Sequence, residues 1–464
     1  MPGLFQTIEI GRRALLSHQL ALQTIGHNIA NVNTPGYTRQ RVNLTATNPE
    51  DSYSGKIGTG VTVTDINHVR DLFLGEQLRQ ETKSYGQWSY KEKIMSQVET
   101  IFSEPNDNSL SDLLNRFWDS WGDLSTSPDS VSDRVAVVEN TKLLTNSFHQ
   151  LSNQLDALTD SVDTEIVNTT SQINKLTEEI ARLNDQIKVQ EAGSSKANDL
   201  RDARDKIIDD LSQIIDVNSI EQANGTATVY IGAMTVVDGA EFLKIGTKEL
   251  NKNGQVKHDL FWAGSNVQLK NLNGQLAGMI ETRDKIIPKY IQQLDDLAKT
   301  LVEQVNQVHA TGYGLNSTTG VNFFDTQYTN AANISINNEL VLDPAKVAAS
   351  ASGEPGDNRV ALDLLNMRNA KIMLNNTSSI NDTYGGLVGQ LGIESNTASS
   401  FTKNYELLIN QIENSKQSVE GVSLDEEMTN LIKFQHSYDA AARIITAMDE
   451  ALDTVVVRMG IVGR

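Results

Sequence analysis

The sequence contains no cysteine, which removes disulfide scaffolds, thiolate nucleophiles and cysteine-ligated metals together and leaves packing as the source of stability. Long apolar runs are missing too. None approaches the roughly 18 residues that a spanning helix needs, and the opening MPGLFQTIEIGRRALLSHQLAL has neither an uninterrupted apolar region nor a small-residue cleavage pattern. The expectation is a soluble chain with no membrane insertion and, if it leaves the cell, no ordinary signal peptide. Positive charge is in deficit: 39 Lys and Arg stand against 59 Asp and Glu, a formal net charge of −20. That balance argues against a duplex nucleic-acid reader or a polybasic membrane anchor, both of which need clustered Lys or Arg, and favours a protein or an assembly as partner.

Catalytic signatures are absent as well. There is no His-Glu-x-x-His, no phosphate-binding glycine loop ending in Lys-Ser/Thr, and no Gly-x-Ser-x-Gly. The histidines at 18, 27, 68, 149, 258, 309 and 436 never fall at metal-ligand spacing. Gly58 and Gly60 precede a strand-like run, so they read as a turn. The acidic groups of SLDEEMTN and LDDLA read as partners of a helix dipole and as a solvated face. Trp118 and Trp121, beside Phe117, Leu113 and Leu114 at helical spacing, read as core. No catalytic residue, cofactor or metal is assigned, and the chain is read as a non-enzyme.

What is present is periodicity. The 464 residues are long for one core, which suggests about two to four domains. Near the N-terminus Leu15, Leu22 and Ile29 stand seven apart with Ile25 and Val32 at the complementary spacing, a narrow seam meant for another helix. GYTRQRVNLTA and GTGVTVTDI then alternate with period two and predict a small strand pair beginning at Tyr37. From about Leu72 to Leu211 the pattern is helical, broken at SEPNDNS and STSPDS, with Pro128 suited to the first turn of a helix reaching about Gln190 and roughly 90 Å long. Asn224-Gly225 and Asp238-Gly239 predict two-residue hairpins in a β-rich stretch ending near Gly264. Helix returns before Pro288, which should kink it or start a new one. An irregular piece from Tyr313 to about Leu342 and helices from about Ala345 to the end follow, with a loose interval at 377–394.

In the last helix Leu424, Met428, Leu431, Gln435, Tyr438, Ala442, Ile445, Asp449, Leu452, Val456 and Met459 alternate steps of four and three. Seams at both ends describe a chain that runs out along a rod and returns. The expected fold is mainly α with a β-rich insert (α+β): an elongated multi-domain rod with its terminal helices paired. Residues 1–71 plus 421–464 form an inner terminal-helix domain, with a short β segment at about 37–66. Residues 72–215 plus 265–420 form a helical-bundle middle domain, and 216–264 a small β-rich outer insert.

The stretch NIANVNTPGY, residues 28–37, is a helix stop, an active-site loop or a family signature. With the residues around it, NIANVNTPGYTRQ resembles the signature of the axial proteins of the bacterial flagellum, its rod, hook and hook-associated subunits. Asn28, Ile29, Ala30, Asn31, Thr34, Pro35, Gly36 and Tyr37 carry the match. GVSLDEEMTNLIKFQHSYDAAARIITAMDEALDTVV resembles the other end of the same proteins. Its GVSLDEE form, with RDKIIPKYIQQLDDLAKTLVEQVNQVHATGYGLN and GVNFF, is closest to the hook-associated members. The β insert is left mainly uncovered, and the chain looks short for the family.

The resemblance implies a secreted structural subunit at the hook–filament junction, exported unfolded by the flagellar type III pathway. It implies as partners copies of the same chain in a ring, the hook protein, a second hook–filament junction protein and an export chaperone on the C-terminal helix. The assembly and chaperone contacts would be Leu15, Leu22, Ile25, Ile29, Leu424, Met428, Leu431, Tyr438, Ile445, Leu452 and Val456, the alternative being that Leu431, Tyr438, Ile445 and Leu452 only pack on the N-terminal helix of the same chain. Gln435, Ala442 and Asp449 at inward positions would make that seam weak until assembly. A hook or rod subunit and a secreted coiled-coil adhesin or effector are the alternatives. An enzyme in the insert is disfavoured, since roughly 50 residues are few for an autonomous catalytic domain.

Overall fold

The structure is a computed structural model that describes residues 2–52, 55–102, 109–193, 195–252, 255–270 and 272–458. The chain opens with α1 (Pro2–Ala30). It leaves on β1 (Gln40–Ala46), passes a short ladder of β2 (Glu50–Ser52) with β3 (Gly55–Ile57), and returns on β4 (Val61–His68), which pairs antiparallel with β1. The strand pair is the one expected, although it starts at Gln40 and not at Tyr37.

Four helices follow: α2 (Leu72–Phe102), α3 (Leu110–Thr126), α4 (Val131–Glu191) and α5 (Asn198–Ile214). Ser109 caps α3 and Ser130 caps α4, each accepting the backbone N–H three residues on, as small polar side chains do for otherwise orphaned donors. The predicted break at 103–108 lies outside the described residues. Pro128 sits before the cap of α4, in the turn closed by the Ser130 N–H on the Ser127 carbonyl (2.9 Å), where its fixed φ suits the second turn position. The 61 residues of α4 make it about 90 Å long.

The β-rich stretch contains β5 (Val217–Glu221), β6 (Ala227–Ile231), β7 (Met234–Asp238), β8 (Glu241–Phe242), β9 (Ile245–Lys252) and β10 (Gln255–Trp262). The first four form one sheet in sequence order, and β9 with β10 a separate hairpin. Asn224-Gly225 lies inside a five-residue loop, where the Asn224 side chain accepts from the N–H and hydroxyl of Thr226. The two-residue turns are Gly232-Ala233, with Gly232 at φ +59°, and Gly239-Ala240, which leaves Asp238 as the last strand residue.

After α6 (Gln275–Glu281) comes a π-helical turn (Thr282–Ile286) that leads into α7 (Ile287–His309). Pro288 therefore directly follows the π-helical turn, the kind of local irregularity that accommodates a proline within a helical run. Beyond the irregular segment lie α8 (Asn338–Leu342), α9 (Arg359–Asn366), α10 (Ile380–Glu420) and α11 (Leu424–Asp453). Residues 380–394, expected to be loose, are helical. Ser379 and Asp382 form a reciprocal capping box that nucleates α10 and outweighs the glycines at 385, 386, 389 and 392.

The result is an elongated, mainly helical protein with small sheets. One continuous core runs through α2–α7, α9 and α10 and takes in Val229, Val237, Ile245 and Trp262 of the β-rich stretch. Phe117, Trp118 and Trp121 are fully buried in it, as expected. No described helix is long and apolar enough to cross a membrane.

Asparagine side chains fasten strands and loops to helices. Asn184 of α4 donates to the carbonyl of Ala227 and accepts its N–H, both at 2.8 Å, and Asn174 does the same for Ile245 at 2.8 Å. Asn306 of α7 binds both backbone groups of Phe324 at 3.0 and 2.8 Å. Each amide replaces a strand neighbour and satisfies two buried backbone groups at once. From the packing, Phe117→Ala is expected to cost about 3–5 kcal/mol in urea denaturation of the monomer. Leu407→Ala, on the exposed side of α10, should stay within about 0.5 kcal/mol.

Candidate functional site

The 28–37 stretch stops α1 by its own hydrogen bonds. Asn31 folds back so that its N–H (3.1 Å) and side-chain amide (3.0 Å) both donate to the His27 carbonyl. The Thr34 hydroxyl donates to Asn31 Oδ1 (3.1 Å). Thr34-Pro35-Gly36-Tyr37 is then a turn closed by the Tyr37 N–H on the Thr34 carbonyl (3.2 Å), with Gly36 at φ +80°. Proline second and glycine third is the sequence such a turn requires. Thr34, Pro35, Gly36 and Ala30 are exposed; Ile29, Asn31 and Tyr37 are half-buried.

Asn28 is 1% exposed, and each hydrogen-bonding position of its side chain is used. Oδ1 accepts from the Gln40 N–H (2.9 Å) and the Tyr37 hydroxyl (2.7 Å), and Nδ2 donates to the Gln40 carbonyl (2.9 Å) and to Glu427 Oε2 (3.0 Å). One side chain thereby joins α1, the turn, β1 and α11. Burial, then the carboxylates of Asp199, Asp202 and Glu427, push the Tyr37 hydroxyl's pKa up, so it remains a donor. Glu427, 2% exposed, also meets Arg39 Nε (2.8 Å), whose other nitrogens grip Glu426 at 2.9 and 2.7 Å. The bidentate pair holds Glu426 below the usual carboxylate range. SLDEEMTN thus contains a buried anchor, where only dipole partners and a solvated face were expected.

The terminal helices pair antiparallel: Ile445 packs over Gly11, the Phe434 and His18 rings lie 5.9 Å apart, and Glu427 reaches Asn28. A Cβ on Gly11 would stand 2.8 Å from the Ile445 side chain, so glycine sets how closely the helices approach. Ile25 is buried, and Leu15, Leu22, Ile29, Leu431, Tyr438, Ile445 and Leu452 are half-buried. The alternate inward positions are Glu427, Phe434, Ala441, Met448 and Val455, one residue before those expected. Leu424, Met428 and Val456 are exposed, as are Gln435 and Asp449, so these polar residues do not weaken the seam. Met459 lies outside the described residues.

Sequence reasoning missed the opposing surface. Asp199, Asp202, Asp205 and Asp209 line one face of α5 at steps of three, three and four. Asp199 meets His27 (3.2 Å) and Gln40 (2.6 Å). Asp202 takes the Thr38 N–H (2.8 Å) and hydroxyl (2.7 Å) and lies 3.0 Å from His68. Asp205 pairs with Arg70, and Asp209 with Arg79 (2.6 Å). Beside this row the link from α1 to β1 meets the two chain crossings to and from the helical body: Arg39 N–H donates to the Glu420 carbonyl (2.8 Å), Val69 N–H to the Arg39 carbonyl (2.7 Å), and Asp71 N–H to Glu420 Oε1 (2.9 Å). The repeated Asp spacing in NDLRDARDKIIDDL was the available signal. Asp295 of LDDLA likewise is half-buried and accepts the Ala331 N–H (2.8 Å).

The arrangement brings the two ends of the chain together and ties them to the helical body. The ends match two family profiles: the flagella basal body rod protein at residues 8–38, which is most of α1 with its turn, and the flagellar basal body rod FlgEFG protein C-terminal at 417–459. Those are the ends of a flagellar axial protein. Residues 95–324 match the flagellar hook-associated protein FlgK helical domain, a match that runs through the β-rich stretch the motif comparison leaves out.

The chain belongs to the family of flagellar hook-associated protein 1. It is 34% identical to that protein of Bacillus subtilis (strain 168) over 508 aligned positions covering 100% of both. It is 24% identical to that of Escherichia coli (strain K12), over 94% of this chain and 97% of the other. The flagellar hook junction protein FlgK from Burkholderia pseudomallei has the same fold, with a TM-score of 0.66 and 15% identity over 74% of this chain and 100% of that one. The protein is accordingly a non-enzymatic structural subunit of the extracellular flagellum, at the junction of hook and filament.

Asn28→Asp removes both donors and sets a carboxylate against Glu427. Repulsion raises the pKa of the introduced acid, so the variant's deficit is full at neutral pH and shrinks as pH falls through that raised value. Hydrogen exchange of α11 amides is expected to show local opening made easier by about 2–3 kcal/mol at neutral pH. Unchanged exchange, or a deficit that grows in acid, would contradict the role given to Asn28.

Proposed function

We propose that the paired terminal helices are the innermost assembly element of the junction. On this reading they pack against copies of the same chain in a ring, against hook protein on one side and against a second hook–filament junction protein on the other. Residues 1–71 with 421–464 would act as that inner unit, 72–215 with 265–420 as the helical middle, and 216–264 as the outer part. The chain would travel unfolded through the flagellar type III pathway, with an export chaperone covering the C-terminal helix until assembly.

The observation that carries this is the apolar surface of α11 that α1 leaves uncovered. The helix packs on α1 along one side only, and Leu424 at the start of that side, Met428 and Ile432 beside it and Ile444 on the other flank are 48%, 49%, 52% and 44% exposed. Exposed apolar side chains of this kind are costly in water, and covering them with a neighbour is favourable. Leu424 and Met428 are thus contacts between chains on this reading, while Leu431, Tyr438, Ile445 and Leu452 face α1.

Ile432→Asp tests the reading, because the position is exposed in the monomer and covered in the proposed tube. Monomer stability should change by no more than about 0.5 kcal/mol. Cells carrying the variant should show bare hooks by electron microscopy and release filament subunits into the medium. Full-length filaments on these cells would overturn it.

A further inference from the structure

A groove of about 570 Å³ lies over α2, between α5 and the C-terminal part of α10, and the 36–38 turn forms part of its wall. Leu78, Tyr85 and Ile409 give it an apolar component. Its basic side chains are already engaged: Arg70 by Asp205, Arg79 by Asp209, Lys206 by Asp210. Lys416 divides its charge between Asp209 (3.6 Å) and Glu420 (4.0 Å). Among the lining carboxylates Glu420 stands apart. It is 3% exposed, its Oε1 accepts the Asp71 N–H, and its Oε2 is buried with no hydrogen-bond partner among the described residues.

A buried carboxylate oxygen without a donor is destabilising, and burial raises the Glu420 pKa above the ordinary value. The missing partner is a donor with positive charge. The apolar lining suits a stem of methylenes, and the nearest cation is too far away to donate a hydrogen bond. A planar guanidinium fits both requirements: it donates two parallel bonds to one carboxylate and loses less hydration than an ammonium. We infer that the groove is a docking site for an arginine side chain presented by a neighbouring subunit of the assembled flagellum. The inference rests on the assembly reading above. It adds a contact at the joint between the terminal helices and the helical body, separate from the exposed face of α11.

The test uses the full-length protein with acetyl-arginine amide as probe and its citrulline analogue as the neutral control. The Glu420 side-chain carboxyl carbon, assigned by NMR with Glu420→Gln, should shift saturably with the arginine probe and at least about tenfold more weakly with citrulline. Lys416→Met, which removes the competing cation, should tighten arginine binding. Glu420→Gln keeps an acceptor for Asp71 and so keeps the joint, yet cells carrying it should bear about tenfold fewer filaments.

An absent arginine shift, or arginine binding no tighter in Lys416→Met, would overturn the site. A saturable shift with normal filaments on Glu420→Gln cells would mean that the groove takes free cations only, which overturns docking of a neighbour. Failure of the underlying reading is told apart by Ile432→Asp: if that variant builds filaments the assembly account fails, and if it does not while Glu420→Gln cells are normal only the groove proposal fails.

Discussion

Everything at the ends of this chain depends on satisfying one buried amide. Asn28 is placed by α1 against a strand that would otherwise have no neighbour there, and it supplies the donor and acceptor that a neighbouring strand would supply. The same side chain then fixes Tyr37, and so the shape of the turn, and Glu427, and so the position of α11. Because an amide offers two donors and two acceptor positions, no valence remains for water. The repeat of this clamp at Asn174, Asn184 and Asn306 indicates a general solution to an architectural problem. Long helices carry much of the mass, and extended segments that lie across them need their backbone groups paired.

Charge is arranged around the same joint. The chain is strongly acidic overall, yet the acids of α5 are turned inward onto the terminal hairpin and the connections, where they meet His27, Thr38, His68, Arg70 and Arg79. Buried carboxylates hold position through geometry more than through net energy, since desolvation offsets much of the attraction. The joint is therefore specified in orientation.

Much of this fold was legible because its signals are local. Ser-Pro-Asp-Ser before α4 and the 4-3 spacing along it give that helix nearly to the residue, and Phe117, Trp118 and Trp121 read correctly as core. The seam of α11 was half legible. Leu431, Tyr438, Ile445 and Leu452 were placed, but the helix is apolar on two sides, so hydrophobicity alone pointed to Leu424, Met428 and Val456 in place of Phe434, Ala441 and Met448. Packing chose between them through Gly11, which lets Ile445 approach, and Asn28, which draws a charged residue inward. Glycines at 385–392 suggested looseness that the Ser379–Asp382 cap overrides. The α5 acid row was visible as spacing, but what it binds is contributed by residues more than a hundred positions away.

The Asn28 to Glu427 bond links positions 399 residues apart. In a chain that appears N-terminus first, α1 and the turn therefore exist long before the carboxylate they need, whereas the short-range helical contacts of the body can close as they emerge. Closure of the ends is consequently a late event that reports on the whole polypeptide. A chain cut short before position 427 can build most of its core, yet it leaves Asn28, Arg39 and one face of α1 without their partners. The fold thus discriminates between complete and incomplete copies of itself.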